Sequence, residues 1–382
     1  MIIRTAWQNL IERAWEQRPI VWLAGVRRAG KTYLAQSLGK VEYFDCELPR
    51  TRQMMDDPEG FLDALRGKRV VLDEVHRLDN PSQLLKIAAD HYSTIRILAT
   101  GSSTIGASAK FRDTLAGRKT DVWLTPMTVR DMADFGSPEL GHRFLFGGLP
   151  PFFLAPSPSG RHFQEWLDAY WAKDVQELFR LERRSAFIKL AELLMVQSGG
   201  IFEAQSLARP CGISQPTVQT YLKALEETFI VHVVRPYHTN KAAEIVAAPK
   251  VYGFDTGFVC YYRGWKELRD SDAGHLWEHF VLNEIHAATQ SRAVRYWRDK
   301  QKHEVDFIWA PPGQMPLAIE CKWRAAEFDP RNLRAFRRLH PDGANIVVAH
   351  DVDKPFGRDY AGLDVRFESL NGLITRLVAS VS

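Results

Sequence analysis

The stretch Gly25-Val26-Arg27-Arg28-Ala29-Gly30-Lys31-Thr32 stands between the apolar run Ile20-Val21-Trp22-Leu23 and the helix-like Tyr33-Leu34-Ala35-Gln36-Ser37-Leu38. A strand feeding a glycine loop that opens a helix is the setting of a P-loop. Its glycines let the backbone curl so that amide N–H groups point at phosphate oxygens, and the positive end of the following helix adds to that field. Residues Gly25 to Thr32 are therefore the expected nucleotide cradle, with Lys31 on the β- and γ-phosphates and the Thr32 hydroxyl on Mg²⁺. A motif of this form arises by chance in roughly one chain of this length in a hundred.

Downstream, Arg69-Val70-Val71-Leu72-Asp73-Glu74 is a buried-strand pattern ending in two acids, as a Walker B strand does. Asp73 is the expected Mg²⁺ ligand, directly or through water, and Glu74 the group that polarises the attacking water. Val41 to Asp45 and Ile95 to Ser103 read as further strands, and Asn80 to Ala88 as a helix with Asn80 as cap and Pro81 in its first turn. Such alternation predicts a parallel sheet covered by helices, with its ligand at the strand C-termini. Thr100 or Ser102 sits where AAA-type ATPases keep a polar sensor, and Arg118 is the candidate finger, acting on its own or a neighbour's nucleotide.

At 382 residues the chain calls for two or three domains. A net charge of +4, from 50 Lys and Arg against 46 Asp and Glu, excludes any global demand for nucleic acid, so such a surface must be local. Cys46, Cys211, Cys260 and Cys321 form neither a CxxC pair nor a zinc spacing, which fits reduced thiols in a cytoplasmic protein. Residues 1–7 lack the apolar core of a signal peptide, and no uncharged run approaches membrane-spanning length, so no membrane association is expected.

Between Ser185 and Tyr237 the pattern becomes one helix through Leu190, Leu193, Leu194 and Val196, a second from Ala204 to Ala208, a turn at Gly212, and a third opening at Ser214. The strand-like Phe229 to Val234 follows, and this order predicts a winged helix. Its third helix exposes Gln215, Thr217, Gln219, Thr220 and Lys223, which can read base edges but bring one positive charge, while Glu226 and Glu227 repel phosphate. A connector or subunit contact is the competing reading.

Further on, Tyr296 to Trp309 and Leu317 to Trp323 read as two strands joined by Pro311-Pro312-Gly313. Period-two alternation places Glu304 with Asp306, and Glu320 with Lys322, while Val305, Phe307, Ile319 and Cys321 point the other way. If the polar faces meet, Asp306 and Glu320 can hold Mg²⁺ beside Lys322, a set suited to cutting a phosphodiester. Glu278, in the helix expected from Leu276 to Ala288, faces the same site. Arg331, Arg334, Arg337 and Arg338 recur at helical spacing as a basic face, either solvated or in contact with phosphate.

The order of these pieces resembles a prokaryotic family of AAA-type P-loop ATPases whose carboxyl half is an uncharacterised module similar to PD-(D/E)xK nucleases. Beside the motifs above, Leu115 to Arg118, Gly147 to Pro150 and Pro249 to Gly257 carry the likeness. The acid of the nuclease core comes as Val305-Asp306, without the proline of the motif's name, and this chain has His76 after the Walker B acids and Cys321 inside Glu-x-Lys. The resemblance implies an α/β protein of three parts: a P-loop AAA-type ATPase domain over 1–160, a helical linker and winged-helix domain over 161–250, and a restriction-endonuclease-like domain over 251–382. ATP and Mg²⁺ are the implied ligands. The expected function is ATP-driven action on nucleic acid, DNA favoured, by a cytoplasmic homo-oligomer with a Mg²⁺-dependent nuclease. The alternatives are an ATP-dependent switch or DNA-binding adaptor with an inactive nuclease fold, and a signalling NTPase with a protein partner.

Overall fold

The computed structural model describes residues 2–101, 109–136, 139–176, 183–238 and 248–381. Two compact units emerge, one of residues 1–139, 148–188 and 222–230, the other of 140–147, 189–221 and 231–382. The division falls inside the helices Arg184–Val196 and Gln215–Glu227.

In the first unit β1 (Ile20–Ala24), β2 (Val41–Asp45), β3 (Arg69–Asp73), β4 (Arg96–Thr100) and β5 (Lys119–Trp123) form a wholly parallel sheet. Their order is β2-β3-β4-β1-β5. Helices cover a parallel sheet on both faces, and accordingly β1 is buried from end to end and β3 and β4 nearly so. Trp22, Leu72 and Ile97 pack in one core with Leu84 and Leu85 of the helix Pro81–His91. Asn80 occupies that helix's cap position, but its side chain does not cap; its amide donates to Gln83 Oε1 at 2.7 Å instead. Pairing of Leu23 with Thr100 and of Leu72 with Ala99 brings the ends of β3 and β4 level with the glycine loop that leaves β1.

The second unit holds β6 (Gly200–Ile201), β7 (Val231–Pro236), β8 (Lys250–Gly253), β9 (Arg295–Arg298), β10 (Glu304–Trp309), β11 (Leu317–Lys322), β12 (Asn345–Ala349), β13 (Phe356–Asp359) and β14 (Asp364–Glu368). They make one mixed sheet in the order β13-β14-β12-β11-β10-β9-β7-β8-β6. In chain order the middle runs helix Arg184–Val196, β6, helix Ala204–Cys211, helix Gln215–Glu227, β7 and β8, with β8 antiparallel to both β6 and β7. Gly212 adopts φ 64° at the turn between the second and third of these helices, a conformation glycine takes without strain. Ser214 Oγ accepts the Thr217 N–H at 3.3 Å and so closes the start of the third.

Two strand expectations are corrected. The run Tyr296 to Trp309 is a hairpin of β9 and β10, not one strand. Asp299 makes the reversal by accepting the His303 N–H at 2.9 Å, and Lys302 takes φ 69°. A bulge between Val305 and Ile308 then breaks the expected alternation. Val305 and Ile308 both join a core with Leu333 and Phe336 of the helix Arg331–Leu339, whereas the Phe307 ring meets Tyr252, centroids 6.0 Å apart. Among the described residues no helix is long and apolar enough to cross a membrane. All four cysteines are buried and unpaired by disulfides.

Candidate functional site

The loop between β1 and the helix Lys31–Gln36 has the backbone its sequence demands: Gly25 at φ 147°, Arg28 at 63° and Gly30 at 98°. A Cβ on Gly25 would stand 2.5 Å from the Leu124 carbonyl oxygen, so this position has room for glycine alone. The helix Lys31–Gln36 opens directly from the loop, and the first-turn amides of a helix have no intrahelical partners. Beneath the loop, Arg4 donates to both Asp131 oxygens at 2.7 and 2.8 Å and to the Ala29 carbonyl at 2.9 Å. Above it, Arg27 bonds Asp174 at 3.0 Å, and Trp166 Nε1 donates to the Arg27 carbonyl at 3.0 Å. Asp174 belongs to a π-helical turn, Trp171–Val175.

A cavity of about 310 Å³ opens over this loop, lined by Lys31, Thr32, Glu74, His76 and Lys173 among others. Lys31 Nζ donates to the Gly25 and Val26 carbonyls at 2.9 and 3.3 Å, and burial lowers its pKa below the ordinary lysine range, against the pull of Glu74. Both Asp73 oxygens are engaged, one by the Tyr43 hydroxyl at 2.6 Å and the other by Thr100, whose Oγ1 also accepts the Glu74 N–H at 3.1 Å. Glu74 sits at φ 55° and pairs with His76 Nδ1 at 3.1 Å. Burial pushes the Glu74 carboxyl up, but the His76 hydrogen bond and the Lys31 charge outweigh it and hold the carboxyl below its usual range. Arg118 does not line this cavity; it bonds Asp90 at 2.7 and 3.1 Å on the surface. Ser102 lies outside the described residues. The donor set fits a nucleoside triphosphate with Mg²⁺: a loop with no room for a Cβ at Gly25, a helix start, the Lys31 ammonium, the Thr32 hydroxyl and the Glu74 carboxylate line the cavity, with Asp73, next to Glu74 in the chain, outside its lining.

The second cluster lies within the other unit. Lys322 Nζ stands 2.6 Å from Glu320 Oε2 and 3.5 Å from Asp306 Oδ2, and the Cys321 N–H donates to Asp306 Oδ2 at 2.8 Å. Asp306 lies within the bulge of β10 between Val305 and Ile308. Glu278, on the helix Asp270–Thr289, accepts the Tyr252 hydroxyl at 2.5 Å and lies 3.4 Å from Lys250 Nζ, which also bonds Glu304 at 2.5 Å. Burial and the Asp306 charge push the Glu320 carboxyl up to about 8 and raise that of Glu278. Burial works against the Lys322 and Lys250 charges, yet the surrounding acids win and keep both ammonium groups protonated. Glu320 Oε1 is buried with no hydrogen-bond partner. Among the described residues no three His, Cys, Asp or Glu side chains stand together to hold a metal ion. Mg²⁺ keeps most of its waters and is commonly held by one or two carboxylates, so Asp306 and Glu320 fit it.

Sequence reading missed Arg4, Asp131, Asp174, Lys250 and Tyr252. Only Lys250 and Tyr252 had a signal, as a lysine and a tyrosine two apart in the stretch Pro249 to Gly257 that carries the likeness. The basic face of Arg331–Leu339 is largely spent on structure: Arg337 bonds Asn345 Oδ1 at 2.7 Å and the Ala344 and Pro316 carbonyls, and burial lowers its pKa to about 10. Gln215, Gln219, Thr220 and Lys223 are exposed as expected, and Thr217 is half-buried.

Residues 17–133 match the AAA domain family. Residues 137–269 and 273–364 match two domains of unknown function, DUF8612 and DUF4143. Among solved structures, the Walker-type ATPase PABY2304 of Pyrococcus abyssi is 17% identical at a TM-score of 0.43, covering 69% of this chain and 96% of that one. The signal transduction ATPase PH0952 of Pyrococcus horikoshii, with a tetratricopeptide repeat sensor, is 12% identical at 0.29, covering 76% and 47%. Neither score bears weight beside the loop geometry. The uncharacterized proteins Rv2008c of Mycobacterium tuberculosis and Mb2031c of Mycobacterium bovis are each 30% identical over 337 residues, 85% of this chain and 75% of theirs. This chain, an α/β protein with an AAA-type P-loop ATPase domain, therefore belongs to the same family as these two mycobacterial proteins.

Proposed function

We propose that the protein hydrolyses ATP and acts on nucleic acid, DNA favoured, through a Mg²⁺-dependent phosphodiester-cleaving centre in its carboxyl-terminal part. MgATP, when bound, supplies the phosphoanhydride bond. The loop amides and Lys31 neutralise its phosphates, for which Lys31 must exchange two carbonyl bonds for phosphate oxygens. Thr32 and Asp73 would hold the cation, Asp73 with both its oxygens already hydrogen-bonded to Tyr43 and Thr100. Glu74, kept ionised by His76 and Lys31, takes the proton of the attacking water.

The observation that carries the nucleic-acid half is the convergence of Asp306, Glu320 and Lys322 around a buried, unpartnered Glu320 oxygen. Asp306 and Glu320 would hold the cation, Lys322 would steady charge on the attacked phosphate, and Glu278 would border the site. The helix, strand, helix, helix, strand, strand order of the middle, with β8 between β6 and β7, supports a winged-helix domain. The test is cleavage of plasmid and single-stranded DNA with Mg²⁺ or Mn²⁺, with and without ATP. Cutting by the wild type that is lost in Lys322→Ala and Glu320→Ala supports the reading; no cutting by the wild type rejects it.

One observation favours a second reading, an ATP-dependent adaptor or switch. Lys223, the one cation expected on the exposed face of Gln215–Glu227, is shared with Glu227 at 3.9 Å, a poor footing for DNA. Salt-sensitive DNA binding without cleavage would select the adaptor, and no DNA binding at any salt would select a protein partner. Self-association, with Arg118 reaching a neighbour's nucleotide, belongs to the proposal and predicts a larger mass by light scattering at saturating ATP.

A further inference from the structure

We propose that Lys250 is a built-in counter-ion that leaves the acid centre room for a single divalent cation, held at Asp306 and Glu320. The inference rests on reading that centre as metal-dependent.

Four carboxylates meet here, and the structure divides them into two pairs, each with its own lysine. On one side Lys250 Nζ lies 2.5 Å from Glu304 Oε1 and 3.4 Å from Glu278 Oε1, with the Tyr252 hydroxyl on the same Glu278 oxygen at 2.5 Å. Arg298 reaches the second Glu304 oxygen at 3.5 Å. Lys250 is 4% exposed, and its ammonium lies 6.0 and 5.7 Å from the Tyr252 and Tyr296 ring centroids, which hold it inside the unit. Every charge on this side is met by a fixed cation.

The other side is incomplete. Lys322 serves Glu320 Oε2 and Asp306 Oδ2, the latter also taking the Cys321 N–H, but Glu320 Oε1 is buried and receives nothing. A carboxylate oxygen withdrawn from water without a donor is costly, and a cation placed there removes the cost. One hydrated divalent ion suits this oxygen, whereas a second would have to share Glu278 and Glu304 with an ammonium already between them.

Lys250 and Tyr252 lie on β8, far in sequence from the acids of β10 and β11. Their assignment as part of the centre comes from these contacts alone. Removing the ammonium while keeping the bulk of the side chain would expose Glu278 and Glu304 to each other's charge and open a second cation site.

The experiment counts Mn²⁺ bound to the full chain, without nucleotide, by electron paramagnetic resonance and calorimetry, in wild type, Glu320→Gln and Lys250→Met. One ion in wild type, none in Glu320→Gln and two in Lys250→Met are expected, with the Lys250→Met melting temperature raised by Mn²⁺ more than that of wild type. Two ions in wild type, or one in a folded Lys250→Met, would overturn the role of Lys250 and leave the metal-dependent centre standing. No ion in wild type at millimolar Mn²⁺ would overturn both. Should Lys250→Met fail to fold, the comparison of wild type with Glu320→Gln still decides, since a count of two in wild type contradicts a single site.

Discussion

Replacing Arg4 by Met tests how the P-loop is held. Arg4 and Asp131 are both buried, and their two hydrogen bonds of 2.7 and 2.8 Å lie beneath the loop, with a third from Arg4 to the Ala29 carbonyl at 2.9 Å. Methionine fills the space but leaves Asp131 without its counter-ion, and breaking a buried pair from one side costs about 3–5 kcal/mol. For a unit of this size each kcal/mol lowers the melting temperature by about 2–4 °C, so a drop of about 6–20 °C is expected. Asp131→Asn keeps the side chain's shape beside Thr128 and Trp7 while removing the charge, and the double variant should recover part of the loss. The double-mutant cycle, read by thermal melts and urea unfolding, should return a coupling of about 2–3 kcal/mol. Nucleotide affinity should fall in Arg4→Met and stay low in the double variant, because neither restores the donor to Ala29. A coupling below about 0.5 kcal/mol would refute the reasoning, as would full nucleotide affinity in the double variant.

Lys31→Ala should abolish nucleotide binding in an equilibrium titration, since it leaves the triphosphate charge uncompensated. Gly25→Ala, with its Cβ 2.5 Å from the Leu124 carbonyl, should weaken ATP binding at least about tenfold while the circular dichroism spectrum is kept. Burial lowers His275 and His286 to about 4 and His279 to about 3. The unfolded chain therefore takes up protons from about pH 6.5 downward that the folded chain refuses, and stability falls as pH falls between 6.5 and those values. Each histidine should cost about 2 kcal/mol between pH 7.5 and pH 5, measurable as a falling urea midpoint that His279→Gln makes shallower; a midpoint that rises on acidification would contradict this sign.

The parallel sheet was legible because its three central strands, β3, β4 and β1, are buried on both faces and so write themselves as unbroken apolar runs: Val70 to Leu72, Ile97 to Ala99 and Ile20 to Leu23. Glycine punctuation marked the nucleotide loop for the same reason, since Gly25 and Gly30 carry backbone angles that other residues resist. What holds that loop was not legible. Arg4 meets Asp131 across 127 positions and Arg27 meets Asp174 across 147, and nothing in local periodicity reports a pairing so distant. In the acid centre the residue types were readable but the geometry was not. A bulge between Val305 and Ile308 defeats period-two reasoning, and Asp299 turns an expected strand into a hairpin. Lys250 gains its place in the acid centre only when the sheet order sets β8 beside β7 and β7 beside β9. Arg337, read as a surface cation, is consumed by the carbonyls of Pro316 and Ala344.

Phosphate release from ATP by wild type, Lys31→Ala and Glu74→Gln, with nucleotide binding followed in parallel, tests the central claim most directly. Wild type should turn over ATP, Glu74→Gln should bind it with little hydrolysis, and Lys31→Ala should do neither. Hydrolysis by Lys31→Ala at the wild-type rate would contradict the account, because the activity would then lie outside the loop that the whole amino-terminal sheet is built to present.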